Sequence, residues 1–137
     1  SQHFGFPYFG GGADRTNDFK GRQLPKKITA PIVKFGAHVA ALGIHFYRGT
    51  QFPKAYRNDA FVAQHGSWNR AVPQGYRIMR IKMDEKGSVM GKEIFADGWL
   101  QGGSAWGRPV DIKETPDGAL LVSDDSAGVI YRISYKK

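Results

Sequence analysis

The densest group of side chains able to do chemistry lies in residues 64–70, which read Gln-His-Gly-Ser-Trp-Asn-Arg. His65 and Arg70 can donate hydrogen bonds to an anionic group, and the planar guanidinium of Arg70 matches a carboxylate. Gly66 between them would let a ligand approach the backbone closely. The same residues also suit a well-capped surface loop that is plugged by Trp68. The pattern indicates a candidate binding loop and leaves both interpretations open.

A second candidate is Arg108, which stands just before a β-prone run that begins at Val110. If that run forms the innermost strand of its sheet, Arg108 lies near the centre of the fold and either binds an anion or forms an ion pair with Asp111. His38 precedes a similar run that begins at Ala41, and it either faces the same ligand or is an ordinary loop residue. Residue type alone leaves both alternatives open at both positions.

The acidic residues and the known motifs give little sign of a metal or catalytic centre. Asp124 and Asp125 could bind a cation, but adjacent aspartates point to opposite faces of a strand and more often cap turns, so we expect a turn. No H-E-x-x-H, P-loop or G-x-S-x-G motif is present. The absence of cysteine excludes disulfides, thiolate metal sites and c-type haem attachment. Redox chemistry would therefore need another cofactor.

Short β-prone runs must position these candidates. Four of them follow one another between clusters of Gly, Pro, Asn and Asp: Ala41 to Tyr47, Ala60 to Gln64, Tyr76 to Met83 and Glu93 to Phe95. Four strands in succession predict an antiparallel meander. No window keeps apolar residues at helical spacing over three turns, so helix is predicted to be a minor component.

The strand pattern then restarts with three further runs: Val110 to Lys113, Leu120 to Ser123 and Val129 to Tyr135. A repeat of about 40 to 50 residues with four strands per unit is typical of a propeller blade, and closed propellers need at least about four blades. The sequence therefore predicts an all-β chain that forms part of one β-propeller.

The predicted divisions of this propeller part are a partial blade and linker in 1–39, one blade in 40–100, and a three-stranded final blade in 101–137. A single blade cannot bury both of its faces. Unpaired strand edges template pairing with other chains. We therefore expect the chain on its own to self-associate.

The chain carries a formal net charge of +8. Its basic residues are scattered in pairs rather than aligned in a stripe, so no nucleic-acid partner is predicted. A basic surface suits an anionic cofactor or substrate equally well. No apolar run approaches the roughly 20 residues that cross a bilayer, so no membrane span is predicted, and Ser1 opens without the charged and apolar regions of a signal peptide.

Taken as a set, the motifs resemble the C-terminal portion of the glucose and sorbosone dehydrogenase family, and the resemblance runs in one order from Ser1 to Lys137. The segments that carry it are 3–8 (His-Phe-Gly-Phe-Pro-Tyr), 38–43 (His-Val-Ala-Ala-Leu-Gly), 65–70, 107–111 (Gly-Arg-Pro-Val-Asp) and 123–125 (Ser-Asp-Asp). The resemblance implies a six-bladed β-propeller that holds pyrroloquinoline quinone and calcium on its axis. It also implies a periplasmic or secreted enzyme that oxidises a sugar or sugar aldehyde and passes the electrons to an external acceptor.

The resemblance assigns cofactor-binding roles to four residues. Arg108 matches a family arginine beside the quinone, His38 falls where a threonine contacts it, and His65 or Arg70 falls near a cofactor-contacting lysine. Basic side chains there would neutralise the three carboxylates of the quinone. A second family arginine is replaced by Val110, which implies a changed grip on the cofactor.

The family's catalytic histidine and the carbonyl groups that ligate calcium both precede the segment that matches Ser1. The sequence therefore assigns no catalytic residue and no metal ligand within the chain. We expect these 137 residues to be inactive alone and the full protein to be active. The alternative is a propeller that only binds a ligand, because one fold hosts many functions.

Overall fold

The computed structural model describes residues 2–11, 14–24 and 27–136. The chain forms two compact units, Ser1–Phe35 and Gly36–Lys137. In the first unit, the described backbone makes one 3-10 turn, Asn17–Phe19, and two isolated β-bridges. This unit is therefore built mainly from turns and loops.

The aromatic residues near the start of the first unit do not form a strand. Phe4 and Phe6 are exposed, and Tyr8 packs edge-on against Phe19 with 5.2 Å between the ring centroids. Thr16 fixes the turn between them by donating its hydroxyl hydrogen to the Pro7 carbonyl oxygen at 2.6 Å. This segment is therefore a loop whose first two rings remain exposed.

The second unit begins with a four-stranded antiparallel sheet. Its strands are β1 (Ala41–Phe46), β2 (Ala60–Gln64), β3 (Arg77–Met83) and β4 (Val89–Ala96), paired in chain order. The predicted meander is confirmed, although β4 is longer than predicted. Every residue of β2 is buried, because this strand is central in the sheet and covered on its faces.

A short hairpin and a three-stranded antiparallel sheet follow. The hairpin pairs β5 (Leu100–Gln101) with β6 (Ser104–Ala105), and the sheet orders β7 (Pro109–Glu114), β8 (Leu120–Asp124) and β9 (Val129–Ile133) in sequence. The three predicted strands of the second sheet are present, with β9 ending two residues earlier than predicted. The hairpin was not predicted, since two-residue strands are too short to show an alternation of apolar and polar residues.

The two sheets meet along their first strands, β1 and β7. A Cβ atom at Gly43 in β1 would lie 2.6 Å from the Asp111 Cα atom and 2.8 Å from the Val110 carbonyl oxygen. Real Cβ atoms do not approach other heavy atoms so closely, so glycine is required where the two backbones pass. This contact brings the starts of β1 and β7 to the same end of the unit.

An apolar core lies between the two sheets. Tyr47 joins them directly, because its hydroxyl donates to the Gly118 carbonyl oxygen at 2.8 Å and accepts from the Phe52 backbone N–H at 3.0 Å. Burying each large apolar side chain is worth roughly 1.5–3 kcal/mol. The fully or nearly fully buried members include Phe61, Ala63, Ile78, Ile112, Leu120 and Val122.

Helix is a minor component, as predicted: the part of the chain that the structure describes has only the 3-10 turns Asn17–Phe19 and Lys54–Tyr56. Among those residues no helix is long and apolar enough to pass through a bilayer. The outer face of β1 carries the exposed side chains of Leu42, Ile44 and Phe46. An exposed apolar face of this kind is typical of a surface that packs against another element.

Candidate functional site at the Arg108 end of the sheets

The four predicted site residues all belong to one end of the second unit. β1 and β7 begin at this end, and β2 and β8 finish there because each is antiparallel to its neighbour. His38 precedes β1, His65 and Arg70 follow β2, and Arg108 precedes β7. We call this end, with its loops 37–40, 65–76, 106–108 and 125–128, the Arg108 end.

The loop after β2 is tied to the segment before β1 by main-chain hydrogen bonds. His65 N–H donates to the Ala40 carbonyl oxygen at 3.0 Å, and Gly66 N–H donates to the Val39 carbonyl oxygen at 2.9 Å. Further along, Ser67 N–H donates to the Gln74 carbonyl oxygen at 3.0 Å. The loop is therefore held at both its beginning and its end.

Gly66 is required by packing inside the protein rather than by a ligand. Its φ is +100°, and a Cβ atom there would lie 2.3–2.5 Å from ring atoms of Tyr76. The Tyr76 ring fills the space that a side chain at this position would need, which explains the glycine without a ligand. The Tyr76 hydroxyl also donates to the Ser67 carbonyl oxygen, which fixes the ring under the loop.

Arg108 reaches across from the second sheet to this loop. One terminal nitrogen, Nη2, donates to the carbonyl oxygens of Gly66 and Ser67 at 3.4 and 3.3 Å, and the guanidinium lies over the Tyr76 ring, 5.4 Å from its centroid. The Nε atom is buried and has no hydrogen-bond partner among the described residues. An arginine held in this way still has donors to offer an anion.

The alternative partner for Arg108, Asp111, is not used. No ion pair joins the two among the described residues; the Asp111 carboxylate instead accepts from the backbone N–H of Ile112 at 2.8 Å. Asp111 sits beside Gly43 where β7 passes β1, so its position serves the strand contact. The guanidinium of Arg108 is left for the loop end of the unit.

Asp124 anchors the backbone around Arg108. Its two carboxylate oxygens accept from the N–H groups of Arg108, Ser126 and Ala127 and from the hydroxyl of Tyr131, at 2.8–3.0 Å. Burial opposes ionisation of this carboxyl, but the four donors outweigh burial and lower the pKa of Asp124 below its ordinary value of 3.8. The predicted turn-capping role is confirmed for this residue.

Asp125 behaves differently from its neighbour. One of its carboxylate oxygens lies 2.8 Å from Nε2 of His65, which joins the loop after β8 to the loop after β2. The His65 side chain is 19% exposed and that of Asp125 is 63% exposed. Sequence patterns do not indicate this pair, because its members are 60 residues apart and meet only through the packing of two sheets.

His38 and Arg70 make weaker connections to the site. His38 is exposed and adopts a left-handed backbone with φ of +65°. The exposed Arg70 donates to the carbonyl oxygens of Val72 at 3.3 Å and Ala37 at 3.5 Å. The interpretation of Trp68 as a plug is wrong, because this side chain is 84% exposed.

A groove lies along β1 and the end of β7. It is lined by Ile44, His45, Phe46, Arg48 and Glu114, near the end of β7 and away from the Arg108 end. His45 Nε2 lies 3.2 Å from the Glu114 carboxylate, which also accepts from the backbone N–H of Arg48 at 2.9 Å. The groove contains none of the predicted site residues.

Among the described residues, no group of three or more His, Asp or Glu side chains could hold a metal ion.

Comparison with known families shows which family the chain belongs to. Residues 11–136 match the sequence profile of the family described as TrAA12-like. The chain belongs to the TrAA12-like family. A protein of Borreliella burgdorferi that is described only as uncharacterized is 45% identical to it over 140 residues, which are 99% of this chain and 37% of that protein.

Solved structures resemble this TrAA12-like chain over most of its length. The holo form of the pyranose dehydrogenase PQQ domain from Coprinopsis cinerea is 25% identical with a TM-score of 0.56, covering 72% of this chain and 27% of that one. The calcium structure of Trichoderma reesei Carbohydrate-Active Enzymes Family AA12 is 24% identical with a TM-score of 0.61, covering 75% and 26%. Together with the meander sheets, the likeness confirms the predicted fold class, part of an all-β propeller. The chain spans well under half the length of the relatives it matches.

The Arg108 end of this TrAA12-like chain is chemically suited to an anion. Arg108 and Arg70 carry positive charge there, and His38 and His65 can add to it when protonated. The buried acid of the site, Asp124, is already occupied by four donors. The Arg108 end therefore offers a ligand several cationic donors, and its exposed carboxylate, Asp125, is paired with His65.

Proposed function

We propose that the full-length protein is a quinone-dependent sugar dehydrogenase and that this chain supplies part of its cofactor site. The observation that carries the proposal is the position of Arg108. Its side chain is partly buried directly before β7, and its guanidinium is supported by the Tyr76 ring at the loop end of the unit. Family membership and the likeness to a PQQ domain support the same function.

The residues at the Arg108 end fit pyrroloquinoline quinone. Hydrogen bonds between a cationic donor and an ionised acceptor are the strong ones. The guanidinium of Arg108 would form such a bond with a carboxylate of the quinone. The quinone, when bound, accepts the two electrons and the hydrogen that leave the sugar carbon.

The proposed role of Arg108 is to bind and orient one cofactor carboxylate. The Tyr76 ring and the carbonyl groups of Gly66 and Ser67 hold the guanidinium in place before the cofactor arrives, so little side-chain entropy remains to be lost. Such preorganised charge stabilises negative charge that develops on the cofactor during reduction.

His65, Arg70 and His38 are proposed as further cofactor contacts, in that order. His65 is partly buried and oriented by Asp125, which suits a defined contact. Arg70 directs two of its donors to carbonyl oxygens of its own end of the unit, so we propose that it mainly shapes the loop. His38 is exposed and stands at the entrance to β1, where a larger ligand could reach it.

The proposal extends to the substrate, the calcium ion, the electron acceptor and the location of the protein. The resemblance to glucose and sorbosone dehydrogenases supports an aldose or sugar aldehyde as substrate, calcium bound by residues outside this chain, an external electron acceptor, and a periplasmic or secreted location. The domain divisions at 39 and 100 and the changed cofactor grip at Val110 also remain predictions. A non-catalytic binding propeller is the alternative, and cofactor dependence separates the two.

The test is dye-coupled oxidation of sugars and sugar aldehydes by the full-length protein, with and without added pyrroloquinoline quinone and calcium. We expect dye reduction that requires both additions. The 137-residue chain assayed in parallel should reduce no dye. Failure of the full-length protein to bind quinone would favour the binding propeller.

A further inference from the structure

The contact between His65 and Asp125 constrains what the imidazole can do. An ionised carboxylate only accepts hydrogen bonds, so the 2.8 Å contact requires that Nε2 of His65 carry the hydrogen. Nδ1 is then the ring nitrogen left for a ligand. Toward an anionic carboxylate Nδ1 must also donate, and an imidazole that donates from both nitrogens is an imidazolium.

We infer that Asp125 is a positioning residue that orients His65 and balances its charge, so that His65 binds a carboxylate of the quinone as an imidazolium. This inference rests on the proposed function and deepens it. Asp125 lies in the loop after β8, beside the residue that anchors Arg108. Two adjacent residues where β8 ends therefore position both cations, Asp124 through the backbone of Arg108 and Asp125 through the side chain of His65.

Other charged or titratable side chains at the Arg108 end belong to the segments before β7, before β1 and after β2. Arg108 from the start of β7 donates to the carbonyl groups of Gly66 and Ser67, directly after His65. His38 lies in the segment that pairs with the backbone of His65, and Arg70 belongs to the same loop. All of these are cations or can become cations, which leaves Asp125 as the exposed acid that His65 contacts. Its charge therefore offsets the repulsion that an imidazolium would meet there.

A second pair supplies a matched control. His45 and Glu114 join β1 to β7 through the same ring nitrogen at 3.2 Å, and this pair also spans the two sheets. It lies away from the Arg108 end. If a histidine–carboxylate pair only ties the sheets together, the two pairs should respond alike to loss of the carboxylate charge.

The experiment measures the dissociation constant of pyrroloquinoline quinone for the full-length protein between pH 5 and pH 9 at saturating calcium. The wild type should bind more weakly as the pH rises, because deprotonation of His65 removes a donor from the quinone. Asp125→Asn keeps an acceptor for Nε2 but loses the charge that balances the imidazolium, so it should reduce affinity about tenfold at pH 7. Glu114→Gln should leave the profile unchanged.

Two variants keep the inference falsifiable, with folding checked by circular dichroism. His65→Gln should bind with an affinity that no longer follows the same pH dependence. An Asp125→Asn profile identical to the wild type, or a pH dependence that persists in His65→Gln, would overturn the inference while leaving the proposed function intact. Absence of quinone binding by the wild type at every pH would overturn both.

Discussion

The guanidinium carbon of Arg108 lies 5.4 Å from the centre of the Tyr76 ring. The same ring occupies the space that a side chain at Gly66 would need. Two loops, residues 65–76 between β2 and β3 and residues 106–108 before β7, therefore fix the position of one cation. The arrangement explains how a half-buried arginine can be held ready for an anion.

Gly66→Ala tests this packing. The added methyl group would meet the Tyr76 ring, and the positive φ of +100° disfavours any side chain. We expect a loss of roughly 2–4 kcal/mol, from overpacking and backbone strain together. Thermal unfolding of the full-length protein measures the effect.

Gly91→Ala is the control for that substitution. Gly91 lies in β4, and a Cβ atom there meets nothing within 4 Å. The control should be close to neutral, since it adds no clash. Equal unfolding temperatures for the two variants would show that Tyr76 moves aside without cost.

Asp124→Asn tests the anchor of the Arg108 backbone. The folded-state pKa of Asp124 is lowered, because its four donors outweigh burial. The ionised carboxylate therefore stabilises the fold above about pH 4, and this contribution is lost as the pH falls through the folded-state pKa. We expect the variant to lose about 2–3 kcal/mol at neutral pH and much less in acid.

The measurement for Asp124→Asn is the unfolding temperature as a function of pH. Asp97→Asn, at an exposed aspartate, is the matched control and should track the wild type at each pH. A gap between Asp124→Asn and the wild type that stayed constant down to acid pH would contradict the hydrogen-bond account.

Arg80→Ala tests a buried ion pair remote from the site. Arg80 donates to the Asp59 carboxylate at 2.6 Å, lies over the Tyr56 ring at 3.8 Å, and is buried together with Asp59. Its removal would leave a buried carboxylate without its cation, which costs roughly 3–5 kcal/mol. Chemical denaturation compared with Arg132→Ala checks this, because the exposed pair of Arg132 with Asp117 should contribute far less to the free energy of unfolding. Similar losses in the two variants would mean that burial does not set the cost.

Most of the fold could be predicted from the sequence because each longer strand has a recognisable local pattern. Apolar runs such as Ala60–Gln64 lie between turn-forming clusters, and the Pro116-Asp117-Gly118 turn is closed by the Thr115 N–H, which donates to the Ala119 carbonyl oxygen at 2.9 Å. The β5–β6 hairpin could not be predicted, since each strand has two residues. Short elements of this kind are defined by their neighbours rather than by their own pattern.

Only some residues of the candidate site could be predicted from the sequence. The resemblance marked Arg108 and His65, but Tyr76 was interpreted only as the first residue of a strand and Asp125 only as part of a turn. Their roles depend on contacts between sheets: His65 and Asp125 meet because β1 and β7 pack together at Gly43. Contacts between residues so far apart in the chain produce no local sequence pattern from which they could be predicted. The exposed Trp68 was misinterpreted for the same reason, since nothing local shows whether a loop residue turns inward.

The most direct test of the central claim is the dissociation constant of pyrroloquinoline quinone for the full-length protein with Arg108 or with methionine in its place. Arg108→Met should weaken binding at least about tenfold, because a charge-assisted hydrogen bond to a cofactor carboxylate is lost. Arg132→Met, which removes an exposed arginine from β9, should bind as the wild type does. Equal dissociation constants for the wild type and Arg108→Met would contradict the assignment of the Arg108 end as the quinone site.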